Sequence, residues 1–390
     1  MFRFLTAGES HGPGLVTILE GLPAGLPIDR AAIDEQLRRR QGGYGRGGRM
    51  KIERDTVEVL SGIRYGHTLG APITLRIANR DWANWQERMA ADPVETTPEP
   101  VTRVRPGHAD LTGALKYGHD DVREVIERAS SRETAARVAA GAVCRQLLAA
   151  FGVAIHSHVL SVAGVGYAAD AQPDAGTADA DFWRRVDESE MRCADQELTA
   201  RMIARIVEGK RQGDTCGGVF EVLAVGVLVG LGGYSQWDRR LSGRVGQALL
   251  SIPSAKGVEI GGGFGLAALP GSQVHDVARY DDERGWYHLT NRAGGIEGGI
   301  SNGEPIVARV AVKPIPTLAH PLPSVDVRSG ENIDETRYER SDVCVVPAAG
   351  VVGEAMLALA LTDAWIEKFG GDSLDEMRRN VAGYLATLPR

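Results

Sequence analysis

Little in this sequence would tie it to a membrane, an oxidising compartment or a nucleic acid. No stretch approaches the roughly 20 consecutive apolar residues that a spanning helix needs. The opening Met1-Phe2-Arg3-Phe4-Leu5-Thr6-Ala7 has no long apolar run and no signal-peptide plan. Four cysteines, Cys144, Cys193, Cys216 and Cys344, are scattered, with no CxxC pair and no metal-ligand spacing. They read as reduced thiols, and the expected location is the cytoplasm. The formal net charge of −7 argues against general nucleic-acid binding, which rests on a basic surface. Aromatic residues are only 6% of the chain, and no GxGxxG follows a first strand to open a dinucleotide fold.

What is present suits a globular chain. Hydrophobic residues are 43% and charged residues 24% of 390, enough to bury a core without staples. Strands are expected at 2–7, 14–20, 56–63, 72–78, 153–162 and 306–312. A long strand is expected at 218–229, with Val219, Glu221, Leu223, Val225, Val227 and Val229 alternating on one side. Helices are expected at 30–40, with Asp29 as N-cap, and at 121–150, 183–210, 241–251, 351–369 and near the C-terminus. Residues 257–265 and 294–303 read as glycine loops. Residues 164–180 read as an exposed loop, and 80–106, with four prolines, as a long irregular excursion of functional type. No strict βαβ rhythm, repeat or linker composition divides the chain. The expectation is one α/β domain over 1–390, with mostly antiparallel sheets covered by helices.

Several segments carry candidate chemistry. Arg38, Arg39, Arg40, Arg46 and Arg49 fall within twelve residues, interleaved with Gly42, Gly43, Gly45, Gly47 and Gly48. Guanidinium forks bind phosphate and carboxylate, and glycines let backbone amides approach an anion. A basic pocket in an acidic protein suits a small polyanion better than RNA. His11 sits in Gly8-Glu9-Ser10-His11-Gly12, and His108 follows the bend of Pro106-Gly107 in Arg105-Pro106-Gly107-His108-Ala109-Asp110. Two glycine-presented histidines can supply two proton-transfer groups. Ser130 or Ser131 would cap a helix restart in Arg128-Ala129-Ser130-Ser131-Arg132-Glu133-Thr134, making an anion site among arginines. Gly294-Gly295-Ile296-Glu297-Gly298-Gly299-Ile300-Ser301-Asn302-Gly303, the corner Lys313-Pro314-Ile315-Pro316-Thr317, and Arg340-Ser341-Asp342 complete the set. Each is common alone; Asp342 by itself reads as a turn residue capping nearby amides.

In this order, over about residues 1–370, these segments resemble the chorismate synthase family. The likeness is weakest at 164–200 and at the C-terminal tail. Ala129 departs from the serine of many members, which leaves Ser130 and Ser131 both open as the ligand hydroxyl. The resemblance implies an α+β sandwich of mostly antiparallel sheets flanked by helices, assembled as a homotetramer. It implies a 1,4-anti elimination of phosphate from 5-enolpyruvylshikimate 3-phosphate, with reduced flavin mononucleotide (FMN) and no net redox change. By motif, His11 would protonate or hydrogen-bond the departing phosphate. His108 would sit by flavin N1, and Asp342 by N5 in proton removal. Ser10, Arg40, Arg46 and Arg132 would hold substrate, with Arg40 and Arg46 also the positions assigned to NADPH. The FMN shell would be Arg128, Ala129, Ser130, Gln247, Ala248, Gly299, Lys313, Pro314, Ile315, Pro316, Thr317 and Arg340. No metal is implied, and the reductant is either NADPH or an external flavin reductase. The competing readings are a basic-loop nucleic-acid- or anion-binding protein without chemistry and a NADPH-using flavin reductase.

Overall fold

The computed structural model describes residues 1–48, 52–168, 171–336 and 341–389. Arg49 and Arg340 lie outside the described residues.

Strands β1 (Arg3–Ala7), β2 (Gly14–Glu20), β3 (Glu58–Ser61) and β4 (Ile73–Ala78) form an antiparallel sheet in the order β1-β2-β4-β3. Side chains alternate between its faces, as a pleated strand requires. Leu15, Leu19, Ile73, Leu75 and Ile77 are buried, while Leu5 and Ile18 look outward. A second antiparallel sheet holds β5 (Ala154–Val162), β6 (Val165–Gly166), β7 (Gly218–Val225), β8 (Ala255–Ile260) and β9 (Ile306–Val312), in the order β8-β9-β7-β5-β6.

The main helices are α1 (Arg30–Gln41), α2 (Asp110–Tyr117), α3 (Arg123–Ala129), α4 (Thr134–Ala149), α5 (Ala180–Glu188), α6 (Gln196–Arg211), α7 (Leu241–Leu250), α8 (Val346–Phe369) and α9 (Leu374–Ala386). Helix α4 covers β2 and β4, α8 covers β5 and β7, and α4 and α8 pack on each other. A helical layer therefore fills the space between the sheets. Glycine sets how close the layers come. A Cβ on Gly141 of α4 would lie 2.4 Å from Ala355 Cβ of α8, and one on Gly353 would lie 2.5 Å from the Phe220 ring of β7.

Helix α8 corrects one expectation. It is long and apolar enough to cross a membrane, although no such stretch was foreseen, and 94% of that window is buried in the protein. It begins at Val346, five residues before the expected start, with Pro347 in its first turn, where a missing N–H costs nothing. The expected one-sided alternation through Val229 also fails. Strand β7 ends at Val225, before Gly226 at φ +77°, and Phe220 to Ala224 are all buried. Helix α8 covers one face, while Phe182 and Val186 of α5 pack with Leu223 on the other. Residues 255–260 are the strand β8, so the expected 257–265 loop starts only after it. The expected 183–210 helix is two helices, α5 and α6, started by the carboxylates of Asp179 and Asp195.

The break inside the expected 121–150 helix matters most. After α3 the chain turns extended at Ser130, whose hydroxyl accepts from Arg132 N, makes a short 3-10 turn over Ser131–Glu133, and then enters α4. The excursion 80–106 is irregular as expected, apart from a short turn over Arg80–Asn84.

Candidate active site

The glycine–arginine loop after α1 lies beside the segment 341–345. Val343 N donates to Gly45 O at 2.8 Å, and Tyr44 N to Glu190 O at 2.9 Å. Gly45 has φ +90°, and a Cβ there would meet Cys344 at 3.0 Å. Its glycine therefore serves chain-to-chain approach as well as turning. This contact brings Asp342 to the loop, where its carboxylate accepts from Gly47 N at 2.5 Å and pairs with Arg46 Nη1 at 2.9 Å.

Both predicted histidines reach one cleft of ≈ 210 Å³, together with Ser10, Arg40, Arg46, Ser130, Arg132, Ile315, Pro316, Thr317 and Asp342. Each is backed by a buried carboxylate. His11 Nδ1 lies 3.0 Å from both oxygens of Glu127, which also accepts the His11 backbone N–H at 2.8 Å. His108 Nδ1 hydrogen-bonds the Asp110 carboxylate, which also accepts from Arg105 Nε at 2.8 Å and Nη2 at 3.0 Å. Burial opposes ionisation of Asp110, but the hydrogen bonds from His108 and Arg105 hold its carboxyl well below the usual range. Burial likewise opposes ionisation of Glu127, and His11, with Arg123, lowers it. A carboxylate can only accept, so the Nδ1 of His11 that faces Glu127 carries a proton, whereas the Nδ1 of His108 meets both the Asp110 carboxylate and, at 3.0 Å, Arg105 Nη2.

The arginines divide into two kinds. Arg132 spends its donors inside the protein, on Asp55 at 2.6 Å and on Asn79 Oδ1 at 2.9 and 3.0 Å. Asn79 in turn donates to Glu9 O and Gly12 O, fixing the turn that carries His11. Arg40 gives Nε to Thr134 and Nη2 to Ser131 O, both at 2.9 Å. Its Nη1 is buried and has no hydrogen-bond partner among the described residues, lying 3.7 Å from Asp55. Burial, together with the Arg46 and Arg132 cations, pushes this guanidinium down to about 9 against the pull of Asp55. A bound anion would relieve both the orphaned donor and the crowding of charge.

An adjoining cleft of ≈ 390 Å³ shares His108, Ser131, Ile315, Pro316 and Asp342 and adds Ala129, Lys256 and Lys313. Lys313 donates to Gly107 O at 2.9 Å, bracing the bend before His108. Burial, and then the neighbouring Lys256 cation, push Lys313 down.

The comparisons with known proteins agree with one another. A model of the chorismate synthase family matches residues 2–366. The chain is 54% identical over 394 residues to the chorismate synthase of Symbiobacterium thermophilum, with 100% of each covered. It is 55% identical over 384 residues to that of Moorella thermoacetica, with 98% of each covered. A crystal structure of chorismate synthase matches at TM-score 0.80 and 43% identity, over 99% of this chain and 97% of that one.

The chain belongs to the chorismate synthase family. Its activity is that of a chorismate synthase, a lyase of the shikimate pathway to aromatic amino acids acting on a small-molecule substrate. Not every expected flavin-shell residue reaches the clefts. Arg128 is taken up by Thr6 O, Thr6 Oγ1 and Gly8 O, tying α3 to β1. Gln247 and Ala248 line a separate surface cleft with Phe2, Phe4 and Met356. The Gly299 carbonyl accepts from Leu241 N at the start of α7, and Pro314 lines neither cleft. Sequence reasoning passed over Glu127, Asp55, Asn79, Trp85 and Lys256. Only Asp110 had a local signal, an acid two residues after His108; Glu127 is 116 residues from its histidine.

Proposed function

We propose that this chain converts 5-enolpyruvylshikimate 3-phosphate to chorismate by 1,4-anti elimination of phosphate, with reduced FMN in the cleft that adjoins the substrate. The supporting observation is two carboxylate-backed histidines on one cleft beside a buried arginine, Arg40, whose Nη1 has no hydrogen-bond partner among the described residues. Arg40 and Arg46 hold substrate anions, and Ser10 lines the same cleft. Arg132 keeps its neighbours in place from behind. Ala129, Lys256, Lys313, Ile315 and Pro316 form the wall that would hold FMN, while Ser130 and Thr317 line the adjoining substrate cleft. The paired lysines suit its phosphate, because among the described residues neither is in an ion pair with a carboxylate. Reduced flavin supplies transient electron density to an electron-poor ring. His11 Nε2 gives a proton to the departing phosphate, His108 holds negative charge beside the cofactor, and Asp342 handles the ring proton.

The whole chain works as one unit, because a single hydrophobic cluster draws on both sheets and on α8. Assembly as a homotetramer would let Gln247, Ala248 and Gly299 contribute from a neighbouring copy. The four cysteines are buried and unpaired, in keeping with a cytoplasmic enzyme. NADPH at Arg40 and Arg46, or an external flavin reductase, supplies the reductant.

Anaerobic turnover with chemically reduced FMN tests this reading. Chorismate should form with reduced flavin alone, and without consumption of reductant in proportion to product. Equal rates with oxidised FMN in air, or one reductant oxidised per chorismate, would refute it. Running the same assay with and without NADPH distinguishes an internal from an external reductant.

Asp342→Asn separates two roles for that carboxylate. Asparagine can still accept from Gly47 N, so folding and FMN binding should persist. If Asp342 handles the proton, turnover falls by roughly 10²-fold or more, with a larger isotope effect from deuterium at C6. Turnover within a few-fold of the parent, with an unchanged isotope effect, would leave Asp342 as a fastener between Arg46 and Gly47.

A further inference from the structure

The excursion 80–106 and the helix α3 meet at His11. Trp85 stacks on the imidazole with ring centroids 3.9 Å apart and planes 20° apart. Glu127, 1% exposed, closes on Nδ1 and on the backbone N–H of the same residue. Ser10 N donates to Glu127 O at 2.9 Å, so the turn carrying His11 is bound to α3 by backbone as well. Arg123 reaches Glu127 at 3.2 Å and lies 5.3 Å from the Trp85 centroid, and Arg88 lies 5.8 Å from that centroid. We propose that Glu127 and Trp85 are positioning residues for His11, the carboxylate fixing the proton on Nδ1 and the indole fixing the ring plane, so that Nε2 alone is aimed at the leaving phosphate.

The physical case rests on the two constraints being different in kind. An imidazole on a turn has two soft torsions, and its neutral form has two tautomers. A carboxylate accepts only, so it selects protonated Nδ1; stacking restricts rotation but not tautomer. Together they leave one ring plane and one tautomer. In the step they serve, the carbon–oxygen bond to phosphate breaks with its electron pair on oxygen. The Nε2 proton of the imidazolium passes to that oxygen, and a neutral imidazole remains, still donating Nδ1–H to Glu127. Water returns the proton after phosphate has left. The proposal rests on the reading of His11 as the phosphate's proton donor.

Glu127→Gln provides the test. Its amide oxygen can keep the bond from the His11 backbone, while its NH₂ group faces Nδ1 and requires that nitrogen to accept. In full-length protein with ¹⁵N-labelled histidine, at a pH that leaves the His11 ring neutral, the His11 signals, assigned by loss in His11→Ala, should move from the Nδ1–H to the Nε2–H pattern. The single-turnover rate should fall by roughly 10²–10⁴-fold, as when the carboxylate behind a catalytic histidine is neutralised, with substrate Kd changed by less than about threefold. An unmoved tautomer overturns the proposal. A moved tautomer with an unchanged rate supports the positioning role and overturns instead the reading of His11 as acid. Should Glu127→Gln not fold, Trp85 gives a second arm. Trp85→Phe keeps a stacking ring and should stay within a few-fold of the parent, whereas Trp85→Ala should lose roughly tenfold or more in rate. Equal rates for tryptophan, phenylalanine and alanine would overturn the clamp.

Discussion

His108→Ala is expected to lower the single-turnover rate by roughly 10²–10⁴-fold, the usual range for a lost proton-transfer group. His11→Ala should fall in the same range. The two histidines are held alike, each by a buried carboxylate on Nδ1, and both face the same cleft. Neither substitution should unfold the protein. Asp110 keeps its three bonds from Arg105, and Glu127 keeps the His11 backbone N–H and Arg123. Rapid-mixing turnover with pre-reduced flavin, beside thermal unfolding, is the measurement. A near-parental rate in either variant removes that residue from the mechanism. A lost rate accompanied by a collapsed melting transition would assign the histidine to the fold instead.

Glu354→Gln should be the most damaging change away from the cleft, at about 3–5 kcal/mol, the cost of removing one partner from a buried ion pair. Glu354 sits in the middle of α8 at 1% exposure. Its oxygens accept from Arg39 at 2.6 and 3.0 Å, from Arg192 at 3.0 Å, from Ser157 at 2.7 Å and from Arg145. Glutamine would leave those cations facing a neutral group, with Asp187 the remaining acid for Arg39 and Arg192. Burial opposes ionisation of Glu354, yet the three arginines hold its carboxyl far below the ordinary range. A group whose folded pKa is depressed contributes stability above its unfolded pKa and loses it as pH falls through the folded value. The parent should therefore lose stability as pH drops below about 4, the unfolded glutamate range, and the variant should lose less over the same interval. Denaturant melts at pH 7 and pH 3 check both statements. Equal stabilities of parent and variant at pH 7 would show that the arginines are satisfied without Glu354.

The sequence alone carried the parts of this protein that are local. The outer strands, the Asp29 cap of α1 and the Ser130 restart were legible because period, capping and turn chemistry act over a few residues. The two histidines and the arginine loop were legible for a similar reason, since glycine and proline mark where a side chain is presented. Tertiary structure decided what those residues face. The alternation drawn for 218–229 failed because β7 is covered on both faces, and a strand's own residues do not state what lies above and below it. Helix α8 passes for a membrane span by composition; only its burial between two sheets, with Glu354 answered by arginines from α1, α4 and the turn after α5, makes it a core helix. Arg132 and Arg40 look equivalent in sequence, but Asp55 and Asn79 use up the first, while the second keeps an Nη1 with no hydrogen-bond partner among the described residues. His11 could be named from its own turn. Its carboxylate lies 116 residues away and its stacking partner in an irregular excursion, because charge pairing and ring stacking depend on distance in space, for which sequence separation carries no signal.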